Sequence, residues 1–375
     1  MENLSIMIKP ASGMCNMRCT YCFYCDITEK RSVKHYGFTD PETMHNIISK
    51  AFGIAKRSIS FVFQGGEPTL AGLDFYESFV AKVKQLNKNK ISVNYALQTN
   101  GLDLDENLIE FFAEHKFLLG LSIDGDAKIH NQNRLDKEGA GSHSRAMRTA
   151  RLFELYGVDY NILVVVTRQT AKHIEKIYNF YKKNNFRHLQ FIPCLAPLGE
   201  DPFANPYSPR PDEYEMFLKK LFKLYYKDFM GGNYTSIRFF DNLVNIAMGG
   251  QAEQCGLFGY CPGHFIIEGD GSVYPCDFYC VDHWYLGNIN ELDFLELANS
   301  EKMGEFIQSS YHEDHLCKSC EFAALCRGGC RRDRDPALAG KAGENIYCDA
   351  LYNFFQEAEP AIKEIARIES GRQIF

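Results

Sequence analysis

A net charge of −7 over 375 residues gives no basic footprint, so nucleic acid is excluded as the expected partner. A hydrophobic fraction of 45% beside 24% charged residues is that of a globular chain with a sizeable core. The N-terminal "MENLSIMIKPASG" lacks the basic and apolar regions of a signal peptide, and no apolar run reaches spanning length, so a cytoplasmic setting without membrane contact is expected.

Short β-rich runs are expected at 4–9, 58–64, 92–99, 117–123, 159–167 and 188–193. Amphipathic segments at 41–56, 74–88, 105–115, 144–156 and 171–184 separate them. Strand and helix alternating in this way predict a parallel sheet of βαβ units. Six such strands suit a partial barrel with its chemistry at the strand C-terminal ends. The proline-rich stretch 195–214 reads as a linker, and a helix near 212–229 follows it. From about 250 to 348 the chain is cysteine-dense and glycine-punctuated, a composition that needs metal staples to fold. The tail from 349 to 368 reads as a helix. The expected division is a barrel domain over 1–230 and a cluster domain with a C-terminal helix over 231–375.

The 14 cysteines are unevenly placed, with four before residue 26, nine after residue 254 and only Cys194 between. In a reducing compartment, thiols grouped like this point to metal or iron–sulfur ligation. "CNMRCTYCFYC" parses as C-x3-C-x2-C from Cys15 or as C-x2-C-x2-C from Cys19, and one cysteine is spare either way. "CKSCEFAALCRGGC" spaces Cys317, Cys320, Cys326 and Cys330, with Cys255, Cys261 and Cys276 before them and Cys348 after. These eight thiols are enough for two four-cysteine clusters, and tetrahedral zinc is the alternative on spacing alone. Cys194 and Cys280 read as buried small hydrophobes.

"CNMRCTYC", with Tyr21 before its third cysteine, resembles the signature of the radical S-adenosylmethionine enzymes. Gly65-Gly66-Glu67-Pro68, after the second strand, resembles that superfamily's motif for the methionine amino group. The C-terminal spacing resembles a SPASM-type auxiliary-cluster domain. "IKPASGMCNMRCTYCFY", "FQGGEPTLAGL", "LQTNG", "LSIDG" and "DGSVYPCDFY" are similar to the anaerobic sulfatase-maturating enzymes. Those enzymes oxidise a cysteine or serine of a sulfatase precursor to Cα-formylglycine.

The resemblance implies an α/β fold, a partial (β/α)6 barrel followed by a cysteine-rich C-terminal domain that holds two iron–sulfur clusters. It implies S-adenosyl-L-methionine and three [4Fe-4S] clusters as cofactors. Cys15, Cys19 and Cys22 would ligate the cofactor-binding cluster, which leaves Cys25 spare. Tyr21, Gly65, Gly66, Glu67, Ser122, Arg134 and Leu195 would contact the cofactor. Cys255, Cys261, Cys276 and Cys330 would form one auxiliary site, and Cys317, Cys320, Cys326 and Cys348 the other. A 5′-deoxyadenosyl radical would take hydrogen from Cβ, Asp277 would act as base, and the auxiliary clusters would accept an electron. The implied partners are an unfolded sulfatase precursor or peptide with a C/S-x-P/A-x-R motif and an electron donor or acceptor protein, in an anaerobic cytoplasm.

Two other functions share these residues. A SPASM-type maturase forming thioether or carbon–carbon crosslinks in a ribosomal peptide has the same cluster spacings. Such enzymes often carry a leader-binding domain, for which a first cluster cysteine at residue 15 leaves no room. A non-catalytic electron carrier or zinc-stapled binding protein is the other. Tyr24 is placed either to touch substrate or to pack. "CRRDRD" (330–335) reads as a solvated loop.

Overall fold

The computed structural model describes residues 1–311, 315–335 and 342–372. In chain order, β1 (Asn3–Ile8) is followed by α1 (Phe23–Glu29), α2 (Pro41–Ile54), β2 (Ser58–Phe63), α3 (Leu73–Leu86), β3 (Ser92–Thr99) and α4 (Glu106–Glu114). Next come β4 (Leu118–Ser122), α5 (Ala127–Asn133), α6 (His143–Tyr156), β5 (Tyr160–Val166), α7 (Arg168–Lys172), α8 (Ile174–Lys183) and β6 (His188–Pro193). Then follow α9 (Pro211–Met230), β7 (Ser236–Ile237) and α10 (Arg238–Ala247). Three short strands, β8 (Phe265–Ile267), β9 (Ser272–Tyr274) and β10 (Gly287–Asn288), precede a last helix, Cys348–Arg372.

The six expected strands form within a residue or two of their predicted limits. One expected helix, 171–184, is broken at His173, whose φ of −108° and ψ of 19° separate α7 from α8. The chain forms two compact units, each discontinuous in sequence. The first comprises Met1–Ile123, His130–Tyr160 and Gly263–Phe306; the second comprises Asp124–Ile129, Asn161–Pro262 and Ile307–Phe375.

In the first unit the strand order is β10-β9-β8-β1-β2-β3-β4. Pairing is parallel from β8 through β1 to β4 and antiparallel at β8–β9 and β9–β10. Alternate residues of β1 and β2 face the core: Leu4, Ile6 and Ile8 are buried, as are Ile59, Phe61 and Phe63. Asp40 caps α2 by accepting from Thr43 N, and Pro41 opens that helix.

No local pattern in the sequence signals that β8 pairs with β1. Its register, Ile6 beside Phe265 and Ile8 beside Ile267, sets Lys9 alongside Glu268 just beyond the strand ends, and Lys9 N donates to Ile267 O at 2.8 Å. The hairpin from β8 to β9 turns at Gly271, with φ 89°, and carries the chain on to Cys276 and Asp277.

In the second unit β5, β6 and β7 pair in parallel. The stretch 195–214 is not a free linker. The Arg168 guanidinium donates to Ser208 O at 2.8 Å and to Asn205 O at 3.0 Å, which fastens the loop to the start of α7. Among the described residues no helix is long and apolar enough to cross a membrane.

Candidate active site

The loop after β1 carries the first cysteines, and the turn after β2 clasps it. Gly66 N donates to Ser12 O at 2.9 Å and Glu67 N to Met14 O at 2.8 Å. The backbones lie so close that a Cβ on Gly66 would stand 2.1 Å from Met14 O. Gly65 has φ 114°, open to glycine alone. The close approach made by this turn is to the cysteine loop itself.

The Glu67 side chain is buried and spent inside the protein. Its Oε1 accepts from Thr69 N, Thr69 Oγ1 and Thr99 Oγ1, and its Oε2 from Asn100 N. Burial pushes this carboxyl up, against the pull of those donors. Glu67 thereby ties the glycine turn to the end of β3, where Asn100 Nδ2 lies 2.8 Å from Asn16 Oδ1 and 3.6 Å from Cys15 Sγ. Backbone groups, not the carboxylate, are what this turn can offer a ligand.

The thiols of the loop differ. Burial pushes Cys15 up to about 11. Cys22, the residue before α1, is drawn down to about 6, first by a hydrogen bond from Cys25 and also by the charge of Arg134. The same bond pushes Cys25 up. Cys25 is exposed on the first turn of α1 and acts as a donor to Cys22. Iron binds thiolates, so a thiol already drawn towards its ionised form suits a ligand.

Arg134 is buried, with its guanidinium 5.6 Å from the centre of the Tyr21 ring. Ser122 is buried at the end of β4 and accepts from Gln98 Nε2 at 3.2 Å. Tyr21, Gly65, Gly66, Glu67, Ser122 and Arg134 all lie in the first unit, and Leu195, half-buried, lies in the second. Asp124, after Ser122, accepts from Val165 N within the second unit.

Within the second unit, Cys330 lies near Cys255 and Cys261, and Cys326 and Cys348 near Cys317. Cys330 is pushed up by burial, then by Asp333, Cys255 and Cys261. Cys326 is raised to about 11 by burial with help from Cys317 and Cys320, and Cys348 to about 12 by burial, Glu344, Cys317 and Cys326. Thiolates crowded enough to repel one another need a cation core, and these donor sets fit iron–sulfur clusters. Cys276 belongs to the first unit, whereas Cys255, Cys261 and Cys330 belong to the second. Among the described residues no three His, Cys, Asp or Glu side chains are arranged to hold a single metal ion.

The "CRRDRD" stretch is not solvated. Arg331, Arg332, Arg334 and Asp335 are all buried. Arg332 donates to Ala196 O at 2.6 Å and Arg331 to Ser309 Oγ at 3.0 Å. The charges pack inside the cysteine-rich region, and Arg334 and Arg331 lower the cost of ionising Cys261.

Asp277 follows Cys276 and is buried beside the end of β1. Its Oδ2 accepts from Tyr24 OH at 2.6 Å, so Tyr24 is engaged with this carboxylate and not merely packed. Its Oδ1 lies 2.9 Å from Lys9 Nζ as an ion pair but has no aligned hydrogen bond of its own. Lys9 Nζ also lies 3.3 Å from Glu268 Oε1 and donates to Cys280 Sγ at 3.2 Å. Glu268 in turn accepts from Arg31 Nη1 at 2.7 Å and from Ser12 Oγ at 2.6 Å. Burial alone would lower the Lys9 ammonium, but Asp277, Cys280 and Glu268 outweigh it and raise it well above the usual range. Lys9, Arg31 and Glu268 were not singled out from sequence. A lysine one residue past a buried strand was the available signal.

Residues 10–181 match the radical SAM superfamily and residues 260–321 match an iron-sulfur cluster-binding domain, the SPASM domain. The chain is thus a radical S-adenosylmethionine enzyme, a class that requires that cofactor and a [4Fe-4S] cluster, with a SPASM domain that binds auxiliary clusters. It is 45% identical to the cysteine-type anaerobic sulfatase-maturating enzyme of Clostridium novyi, over all of both chains. It is 29% identical to the serine-type anaerobic sulfatase-maturating enzyme of Bacteroides thetaiotaomicron, over 95% of this chain and 90% of that one. Its fold superposes on native anSMEcpe with bound AdoMet and Kp18Cys peptide at a TM-score of 0.93, with 44% identity and coverage of 97% and 99%. The chain belongs to the anaerobic sulfatase-maturating enzymes.

Proposed function

We propose that this enzyme oxidises a cysteine side chain in an unfolded sulfatase precursor, within a C-x-P/A-x-R motif, to Cα-formylglycine. The observation that carries the reading is the Asp277 carboxylate, which is held at both oxygens: Tyr24 donates to Oδ2, and Oδ1 pairs with the Lys9 ammonium. Higher identity to the cysteine-type than to the serine-type relative supports cysteine as the substrate.

Cys15, Cys19 and Cys22 hold the cofactor-binding cluster. Cys255, Cys261, Cys276 and Cys330 hold one auxiliary cluster, and Cys317, Cys320, Cys326 and Cys348 the other. The barrel and cluster domains divide near residue 230. The bound cofactor supplies hydrogen-atom abstraction from the substrate Cβ.

The Asp277 carboxylate then accepts the thiol proton. Loss of one hydrogen atom, one proton and one electron leaves a thioaldehyde, which water converts to the aldehyde with release of hydrogen sulfide. Auxiliary clusters held by these thiolates would accept the electron and pass it to a redox protein. Tyr21, stacked against Arg134, and the glycine turn at 65–67 hold the cofactor beside the cysteine loop.

Anaerobic incubation with matched peptides carrying C-x-P-x-R or S-x-P-x-R tests the reading. A hydrazine-reactive aldehyde from the cysteine peptide is expected. Cofactor cleavage with a crosslinked product and no aldehyde from either peptide would replace the reading with a crosslinking maturase.

A further inference from the structure

We propose that Lys9 is a positioning residue for the oxidation, fixing the orientation of the Asp277 carboxylate towards the substrate. The proposal rests on the reading of Asp277 as the base. Parallel pairing of β1 with β8 places Lys9 beside Glu268, and the β8–β9 hairpin brings Asp277 back to the same ammonium. An ammonium has three N–H groups, and three partners surround this one: Asp277 Oδ1, Glu268 Oε1 and Cys280 Sγ.

Glu268 has a nearer cation of its own, Arg31 at 2.7 Å against 3.3 Å for Lys9. The closer anion for Lys9 is Asp277, at 2.9 Å. The four buried charges thus resolve into the pairs Arg31–Glu268 and Lys9–Asp277. Tyr24 adds the second constraint: its hydroxyl takes Oδ2, and its ring faces the same ammonium at 4.9 Å. Two contacts on two oxygens define the plane of the carboxylate. Without Lys9 the group pivots on the Tyr24 bond.

Lys9→Met removes the ammonium and keeps the stem, but it leaves the buried set one negative charge in excess. The double variant Lys9→Met, Glu268→Gln restores neutrality and separates aiming from charge balance. In both variants, aldehyde formed per 5′-deoxyadenosine is expected to fall by about tenfold or more, the scale of a misaimed reacting group. Peptide KM should stay within about twofold of wild type, and iron content and the visible spectrum should match wild type. Wild-type coupling in the double variant, or loss of its clusters, would overturn the proposal in favour of a structural lysine. Asp277→Asn is run in parallel. Full coupling there would refute the base reading itself, whereas lost coupling there with normal coupling in the double variant would refute only the role of Lys9.

Discussion

Gly66→Ala adds one methyl group where two backbones touch. The new Cβ would meet Met14 O at 2.1 Å, Met14 C at 2.5 Å and Gly13 O at 2.6 Å, all backbone atoms with no rotamer to escape into. Bringing the first contact from 2.1 Å to 3.0 Å moves the cysteine loop by about 0.9 Å, an overpacking cost of about 1–3 kcal/mol. The shift also stretches the Gly66–Ser12 and Glu67–Met14 hydrogen bonds that position Cys15. A displacement of about 1 Å at a reacting centre costs on the order of 10²-fold in rate. Gly66→Ala should therefore keep its far-UV circular dichroism and its auxiliary-site iron. It should bind less iron at the cysteine loop and form 5′-deoxyadenosine about a hundredfold more slowly. A variant with full iron and a wild-type rate would refute the claim that this turn exists to clasp the cysteine loop.

Cys25→Ala should retain the cofactor-binding cluster and cofactor cleavage, because Cys25 stands exposed on α1 as a donor to Cys22. Cys15→Ala should abolish both, as read by iron analysis and chromatography of 5′-deoxyadenosine. Glu268 is held below the usual carboxylate range: burial would raise it, but Lys9 and Arg31 outweigh burial. A depressed carboxyl stabilises the fold above its ordinary value near 4.5, and that contribution fades as pH falls through the lower folded value. Glu268→Gln should therefore lower Tm at pH 7, with a cost of about 3–5 kcal/mol for breaking a buried pair, and the gap from wild type should close progressively as pH falls below 4.5. An unchanged gap on acidification would contradict the ion-pair assignment.

The parts of the site legible in the sequence are those built from local spacing. The three cysteines, the glycine turn and the six strands each have a signal within about ten residues, through period-two burial or fixed thiol intervals. Glu67 was legible as a motif residue, but its work was not: its partners, Thr99 and Asn100, come from the next strand. Lys9, Arg31 and Glu268 were missed because β8 and β9 are three residues each, too short to show periodicity. Their pairing also joins parts of the chain far apart in sequence. The buried arginines at 331–334 misled for the opposite reason. A run of charges usually marks a solvated face, but here the neighbouring thiolates create a demand for buried cations.

The most direct test of the account uses a C-x-P-x-R peptide deuterated at both Cβ positions of its cysteine. One deuterium should appear in 5′-deoxyadenosine and the other should remain on the aldehyde carbon, with hydrogen sulfide released in step with product. A product that retains both Cβ deuteriums, or 5′-deoxyadenosine that carries none, would contradict oxidation at Cβ and with it the assignment of Asp277 as the base.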